Sequence, residues 1–149
     1  MGIPFQVTVD SHDAGGQVAF WSLALGYEPE PPPPGFDTWR DWYLSIGVPA
    51  EELPEGDCQD RIRDPEGRLP KIWFQPVPET KTVKNRVHLD VTVSGGRGVD
   101  MTIREQRVRR HAARLVAAGA TELRVLSGVV AGHFAIVMQD PEGNEFCVN

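Results

Sequence analysis

The side chains that could do chemistry in this chain fall on short stretches in which polar and apolar residues alternate. Gln6 and Thr8 alternate with valines near the start, and His88 and Asp90 alternate with apolar residues in the stretch Val87–Val93. A period of two is typical of a strand with one buried face. We therefore expect these four side chains to point away from the core, from paired first strands, into one shared concavity.

Asp90 and Cys147 each have a chemical and a structural interpretation. Asp90 could serve as an acid–base group, or it could pair with Lys84 and Arg86 in the connector just before it, and we favour the ion pair. We expect the side chains of that connector to lie outside the pocket. Cys147 could be a ligand or a nucleophile, but free cysteine is commonly buried and inert, so we favour a small apolar filler. The other cysteine, Cys58, makes neither a disulfide framework nor a metal-binding pair with it.

The helices that must position these residues follow from apolar spacing and caps. Asp13 is placed to cap a helix from Ala14 to Leu25, which Gly26 ends. A capping-box pattern at Thr102 predicts a second helix to about Ala118. The second helix should turn four apolar side chains inward: Val108, Ala112, Leu115 and Val116.

Strand patterns occur in two similar sets, one on each side of residue 80. The predicted strands cover residues 5–10, 59–63, 71–77, 87–93, 122–126, 134–139 and 145–148. The tetrapeptide Asp-Pro-Glu-Gly closes a late strand in both sets, at 64–67 and at 140–143. A pattern that restarts in this way indicates an internal repeat of a βαβββ module.

An aromatic-rich insertion interrupts the first set. Four prolines at 31–34 exclude a helix or a central strand there. The stretch Asp37–Glu52, with Trp39, Trp42 and Tyr43, predicts a short helix that covers part of the core. We favour an aromatic anchor for the insertion over a pocket lid, because apolar surface this dense is normally buried.

Composition excludes several classes of protein. The 149 residues carry a formal net charge of −6, which makes a nucleic-acid partner unexpected. No apolar run reaches the roughly 20 residues that span a bilayer, and the start of the chain lacks the pattern of a signal peptide. We expect a cytoplasmic protein with no membrane partner.

Four stretches together resemble the glyoxalase/bleomycin resistance/dioxygenase (vicinal oxygen chelate) superfamily, in its glyoxalase-like branch. They are Phe5–Gly26, Lys84–Asp90, Leu115–Glu122 and Val137–Phe146. The resemblance implies one α+β domain over residues 1–149, with module one at about 4–77 and module two at about 87–149. It also implies a cupped, curved mixed β-sheet with helices on the outside, and it leaves a homodimer open.

In that superfamily the metal ligands, where present, come from the first and last strands of each module. Carried over, these positions are Gln6, Gln75, His88 and Cys147. Glyoxalases place a carboxylate on each closing strand, and the dioxygenases need two histidines and one carboxylate around iron. Gln75 and Cys147 supply no carboxylate, and a neutral amide is a poor ligand for a hard cation and no general base. We therefore expect no standard metal site and no cofactor, with a divalent metal kept as the alternative.

The favoured function is the binding of a small molecule, whose identity and catalytic residues the sequence leaves open. The expected pocket residues are Gln6, Thr8, Trp73, Gln75, His88, Asp90 and Cys147. One alternative is a divergent metal-dependent enzyme, a glyoxalase-type lyase or isomerase or a dioxygenase, centred on His88. A further alternative is a non-catalytic dimerisation module.

Overall fold

The computed structural model describes residues 2–128 and 132–149. The chain divides into two compact units. The first unit contains Met1–Ser22 and Gly26–Glu79, and the second contains Leu23–Leu25 and Thr80–Asn149. None of the described helices is long and apolar enough to cross a membrane.

The first unit contains a four-stranded mixed sheet. Its elements are β1 (Val7–Ser11), α1 (Ala14–Leu25), β2 (Glu28–Pro29), α2 (Trp39–Ser45), a 3-10 turn (Ala50–Glu52), β3 (Arg61–Arg63) and β4 (Ile72–Pro76). The strand order is β1-β4-β3-β2, with β1 parallel to β4 and the other pairs antiparallel.

The second unit has a sheet of the same order. Its elements are β5 (Asp90–Val91), α3 (Met101–Ala117), β6 (Thr121–Ser127), β7 (Phe134–Gln139) and β8 (Glu145–Val148). The order is β5-β8-β7-β6, again with one parallel pair, β5 with β8. The predicted α+β class and the arrangement as two βαβββ modules are confirmed.

Each unit has its own buried side chains. Ile62, Ile72 and Phe74 are buried in the first sheet. In the second unit α3 packs against β7, and Phe134–Met138 of that strand are all buried. A central strand covered in this way reads as a continuous apolar run, which is why it was recognisable in the sequence.

The helix predictions were right in extent and wrong in two details. Asp13 caps α1, its carboxylate accepting a bond of 3.0 Å from the Gly16 amide. In α3, however, Asp100 rather than Thr102 is the capping residue. Val116 is also 46% exposed, and Arg104 is buried instead. With Arg104, Val108, Ala112 and Leu115 on the inner face, the next residue along points about 100° away from it.

Two predicted strands are shorter than expected: β1 begins at Val7 rather than at residue 5, and β5 is shorter at both ends. Of residues 87–93 only Asp90 and Val91 form a regular strand, although the Cys147 amide also donates to the Leu89 carbonyl. Gln6 lies just before β1. Both strands are edges of their sheets within each unit and pair on one side only, so regular pairing ends early.

The two Asp-Pro-Glu-Gly segments form matching turns. In each, the glycine amide donates to the aspartate carbonyl at 2.9 Å. The Asp64 carboxylate also accepts from three backbone amides, those of residues 66, 68 and 69. The Asp140 carboxylate accepts from those of residues 142 and 144. The same side chain thus fixes the end of β3 and of β7.

Candidate functional site

The aromatic insertion of the first unit is the connection of a β-hairpin. It leaves β2 and returns to β3, which pair antiparallel. The Glu30 amide donates to the Arg61 carbonyl at 3.0 Å, and the Gln59 side-chain amide donates to the carbonyls of both residues. The two ends of the segment 30–60 are therefore fixed close together.

Helix α2 within this segment is capped and anchored. Thr38 forms a capping box with Asp41. Trp39 is buried, and its indole N–H donates to the Glu30 carbonyl at 2.8 Å. The predicted short helix is confirmed, and Trp39 is the anchor that the sequence led us to expect. Tyr43, one turn further along α2, bonds instead to a side chain, that of Asp60.

Asp60 joins α2 to the sheet through a buried network. Its carboxylate accepts from the Tyr43 hydroxyl at 2.6 Å, from the Trp73 indole N–H at 2.9 Å and from Arg61 Nε at 2.7 Å. Arg61 Nη2 also donates to the Tyr43 oxygen at 2.7 Å. The Arg61 guanidinium lies 3.9 Å from the ring centroid of Trp39. The network satisfies the buried charge and fixes the two rings, Tyr43 and Trp73.

The pKa of Tyr43 reflects this environment. Burial first, and then the hydrogen bond and negative charge of Asp60, raise it to about 12. The hydroxyl is therefore neutral at pH 7 and acts as a donor to Asp60, not as a base.

A cavity of about 540 Å³ opens beside this network, within the first unit. Tyr43 and Trp73 line it with Gln59 and Gln75. Its other walls come from the residues after β1 and from the insertion, namely His12, Asp13, Ala14, Gly15, Val48, Glu52, Leu53, Pro54, Glu55, Asp57, Cys58, Asp60 and Pro76. Five of the lining residues are acidic, and no lysine or arginine in the described ranges is among them.

Cys58 bends the chain at the cavity wall. It is buried and has a φ of 58°, in the left-handed region that residues other than glycine rarely adopt. Burial raises the pKa of its thiol, so the group is protonated at pH 7. The bend directly precedes Gln59 and Asp60, which lie before β3 begins.

A second set of functional side chains lies on the second sheet. The ligand atoms of His88, Asp90 and Cys147 all lie within 4.8 Å of one another. Asp90 and Cys147 are partners across the β5–β8 pair, and His88 Nδ1 is 3.7 Å from Asp90 Oδ1. Burial, and then the charge and hydrogen bond of Asp90, raise the pKa of the Cys147 thiol.

The surroundings of this cluster correct two expectations. Lys84 pairs with Glu145, not with Asp90. Lys84 also lines a recess of about 170 Å³ with His88, Arg124 and Cys147, so its side chain does not lie outside the pocket. The sequence distance between Lys84 and Asp90 is short, but β8 brings Glu145 nearer to the lysine.

The predicted pocket residues thus fall into separate groups. Trp73 and Gln75 line the 540 Å³ cavity, whereas His88 and Cys147 line the 170 Å³ recess, beside Asp90. Gln6 and Thr8 are exposed and line neither.

Strand register also shows which positions are equivalent in the two units. Trp73 pairs with the residue three positions before Asp64, and Cys147 pairs with the residue three positions before Asp140. Trp73, rather than Gln75, is therefore the first-unit position equivalent to Cys147.

Sequence reasoning missed Asp60 and gave Tyr43 only as part of an aromatic cluster. Alternation could not place Asp60, because Asp60 precedes the strand and follows the left-handed backbone of Cys58, where regular alternation does not apply. One feature of the sequence could have indicated this pair. Asp60 and Arg61 are adjacent opposite charges next to an apolar strand residue, and charged side chains are rarely buried unless they are paired.

The donor set of His88, Asp90 and Cys147 suits some metal ions better than others. One imidazole, one carboxylate and one thiol suit zinc or a similar borderline-soft cation better than magnesium or calcium. The thiol has to lose its proton first, against its raised pKa. These three residues therefore fit a metal in type, at a cost to affinity near neutral pH.

Two mixed sheets of the same strand order, one in each unit, define a two-module α+β fold. The family model described as "Glyoxalase-like domain" matches residues 6–149, and the chain belongs to this family.

Solved structures agree in fold at low sequence identity. A glyoxalase/bleomycin resistance protein/dioxygenase family enzyme from Burkholderia phytofirmans PsJN is 18% identical, with a TM-score of 0.60 over 97% of this chain and 94% of that one. The fosfomycin resistance protein FosX from Listeria monocytogenes is 11% identical, with a TM-score of 0.61 over 100% and 91%. TioX from Micromonospora sp. ML1 is 16% identical, with a TM-score of 0.54 over 99% and 97%. No curated protein matches the sequence.

Proposed function

We propose that this protein binds a small organic molecule in the 540 Å³ cavity of the first unit, without needing a metal. The observation that carries the proposal is the cavity itself. Its volume lies within the roughly 300–1,000 Å³ of ligand sites, and such sites combine apolar walls with a few polar groups. Trp73 and Tyr43 give flat apolar surface, and the Gln75 side-chain amide and the Gln59 side-chain oxygen give polar atoms. The presence of a fosfomycin resistance protein among the structures of similar fold is consistent with small-molecule recognition.

The charge of the lining indicates the kind of ligand. Five acidic residues and no described lysine or arginine line the cavity, and one of these acids, Asp60, is paired with Arg61. A planar molecule that carries an amine gains from both the rings and the carboxylates, whereas an anion is repelled. We infer a neutral or cationic ligand with an aromatic or other flat apolar part.

A matched pair of ligands tests this inference. Tryptamine and indole-3-propionate share the ring and differ in charge. We expect calorimetric titration to show the amine binding at least about tenfold more tightly, which corresponds to about 1.4 kcal/mol. Chelation with EDTA should leave the affinity unchanged. Equal affinities for the two compounds, or no binding of either indole, would count against the inferred ligand class.

Variants locate the binding. Asp57→Asn with Glu55→Gln should reduce the preference for the amine, because both carboxylates line the cavity and are exposed enough not to disturb the core. Glu51→Gln makes the same kind of charge change one residue outside the lining and serves as the control. If the preference for the amine is lost in the control Glu51→Gln and kept in the double variant, the ligand does not bind in the assigned cavity.

The cluster on the second sheet favours a second candidate function, a metal-dependent lyase, isomerase or dioxygenase. His88, Asp90 and Cys147 would hold the ion, and the ion would supply Lewis-acid chemistry there. Elemental analysis of protein purified without added metal tests this. Near-stoichiometric zinc, iron, nickel or manganese that is lost in His88→Ala supports the enzyme, and a metal content unaffected by that change removes it.

A further inference from the structure

A basic recess lies along one side of α3, apart from the residues discussed so far. Arg107, Arg110, His111 and Arg114 line it together with Val93, and its volume is about 220 Å³. All five residues belong to the second unit. No carboxylate in the described part of the chain contributes to its lining.

The uncompensated charge of this recess is unusual in this chain. The protein has a net charge of −6, yet three guanidinium groups follow one another at i, i+3 and i+7 of one helix. Like charges three or four residues apart on a helix repel each other and destabilise it. Arg109, on another face of α3, is instead paired with Glu105 at 2.8 Å. An anion in the recess would remove the repulsion.

The recess is also partly fixed by the loop before α3. Arg107 Nη1 donates to the Ser94 carbonyl at 3.0 Å. Gly95 has a φ of 87°, and a Cβ there would lie 2.4 Å from Arg107 Nη1. The glycine therefore leaves room for the guanidinium, and Arg107 is held in place before any ligand arrives. This accounts for the first glycine of the segment Gly95–Gly98.

His111 adds no charge to the recess, and its Nε2 lies 3.0 Å from the Ala24 carbonyl oxygen. Burial, and also the charge of Arg114, lower the pKa of its ring, which is therefore neutral at pH 7. The positive charge of the recess comes from the three arginines.

We propose that this recess binds a phosphate group, either as inorganic phosphate or on a phosphorylated small molecule. Guanidinium groups bind phosphate oxygens in pairs, and a dianion offsets more of three positive charges than a carboxylate does. The recess is small, which suits one phosphate group better than a polymer that lies across an extended surface. The site would be separate from the cavity of the proposed function and independent of it.

NMR titration of the ¹⁵N-labelled full chain tests the site, with inorganic phosphate, glycerol 3-phosphate and acetate as probes at constant ionic strength. We expect saturable shifts in the amides of residues 93–95 and 107–114 with both phosphates, and none with acetate. Tighter binding of the ester identifies a phosphorylated molecule as the better ligand, and equal binding identifies inorganic phosphate; both support the site.

The double variant Arg110→Gln, Arg114→Gln should weaken phosphate binding at least about tenfold. Both arginines are exposed, so the fold is expected to persist. The control, Arg109→Gln, removes one charge from another face of the same helix and should leave the affinity unchanged. Shifts that do not saturate, or an equal loss in the control, would overturn the proposal.

Discussion

At the scale of single residues, Asp60 determines how the first-unit cavity is built. Its side chain is 4% exposed and that of its partner Arg61 is 20% exposed. Three different side chains donate to one carboxylate, so the orientation of Tyr43 and Trp73 depends on it. Asp60 therefore contributes both to stability and to the shape of the wall that a ligand meets.

Replacement of Asp60 by alanine should lower the free energy of unfolding by about 3 kcal/mol. The change leaves the Arg61 guanidinium and the Trp73 indole N–H without their acceptor, and removal of one partner of a buried ion pair costs about 3–5 kcal/mol, less where a partner reaches solvent. Urea denaturation measures the difference. Glu66→Gln, in the exposed pair with Arg68, should change it by less than about 0.5 kcal/mol. A loss below about 1 kcal/mol in Asp60→Ala would show that the network is not stabilising.

At the scale of elements, the turns and helices were more predictable than the site. Asp13, Gly26 and the two Asp-Pro-Glu-Gly turns act through hydrogen bonds to backbone nearby in sequence, so a single sequence contains the signal. The cavity depends on contacts between residues far apart, such as Tyr43 with Asp60 and Trp73 with Thr8, and on the left-handed backbone of Cys58. No periodicity in the sequence encodes those contacts.

The turn between β3 and β4 should make stability depend on acid pH. Backbone amides, that of Glu66 first, lower the pKa of Asp64 below its ordinary value of 3.8. The ionised carboxylate therefore stabilises the fold above that ordinary pKa, and this contribution disappears as the pH falls through the lowered value.

Asp64→Asn should consequently have a lower melting temperature than the wild type at about pH 6, and the difference should shrink towards about pH 2. Calorimetry at several pH values measures it. Asp10→Asn, an exposed change of equal charge, should show a smaller difference at neutral pH. A difference for Asp64→Asn that is independent of pH would mean that the carboxylate charge is not what stabilises the turn.

At the scale of the whole molecule, the position of a strand within its sheet decides how well its backbone amides are protected from hydrogen exchange. β7 pairs on both sides and is covered by α3, and β4 pairs on both sides in the first sheet. β1 and β5 each pair on one side within their sheets. The last strands to open should therefore be the central ones of both units.

Hydrogen exchange followed by mass spectrometry should show the slowest amides in Phe134–Gln139 and in residues 72–75, and faster exchange at Asp90 and Val91. The measurement should be repeated at two protein concentrations. Slow exchange at Asp90 that appears only at the higher concentration would indicate that a second copy covers this edge, contrary to the expected order.

Because much of the cavity wall is the connection of a β-hairpin, the protein could change its ligand without a change in its sheets. The floor, Trp73 and Gln75, belongs to β4, whereas much of the wall belongs to the segment 30–60 between two paired strands. The entropic cost of a longer connection between fixed ends grows only slowly with length. One exchange of this segment, by recombination or in the laboratory, could thus give a new specificity to an unaltered scaffold, provided that Asp60 and Arg61 are kept.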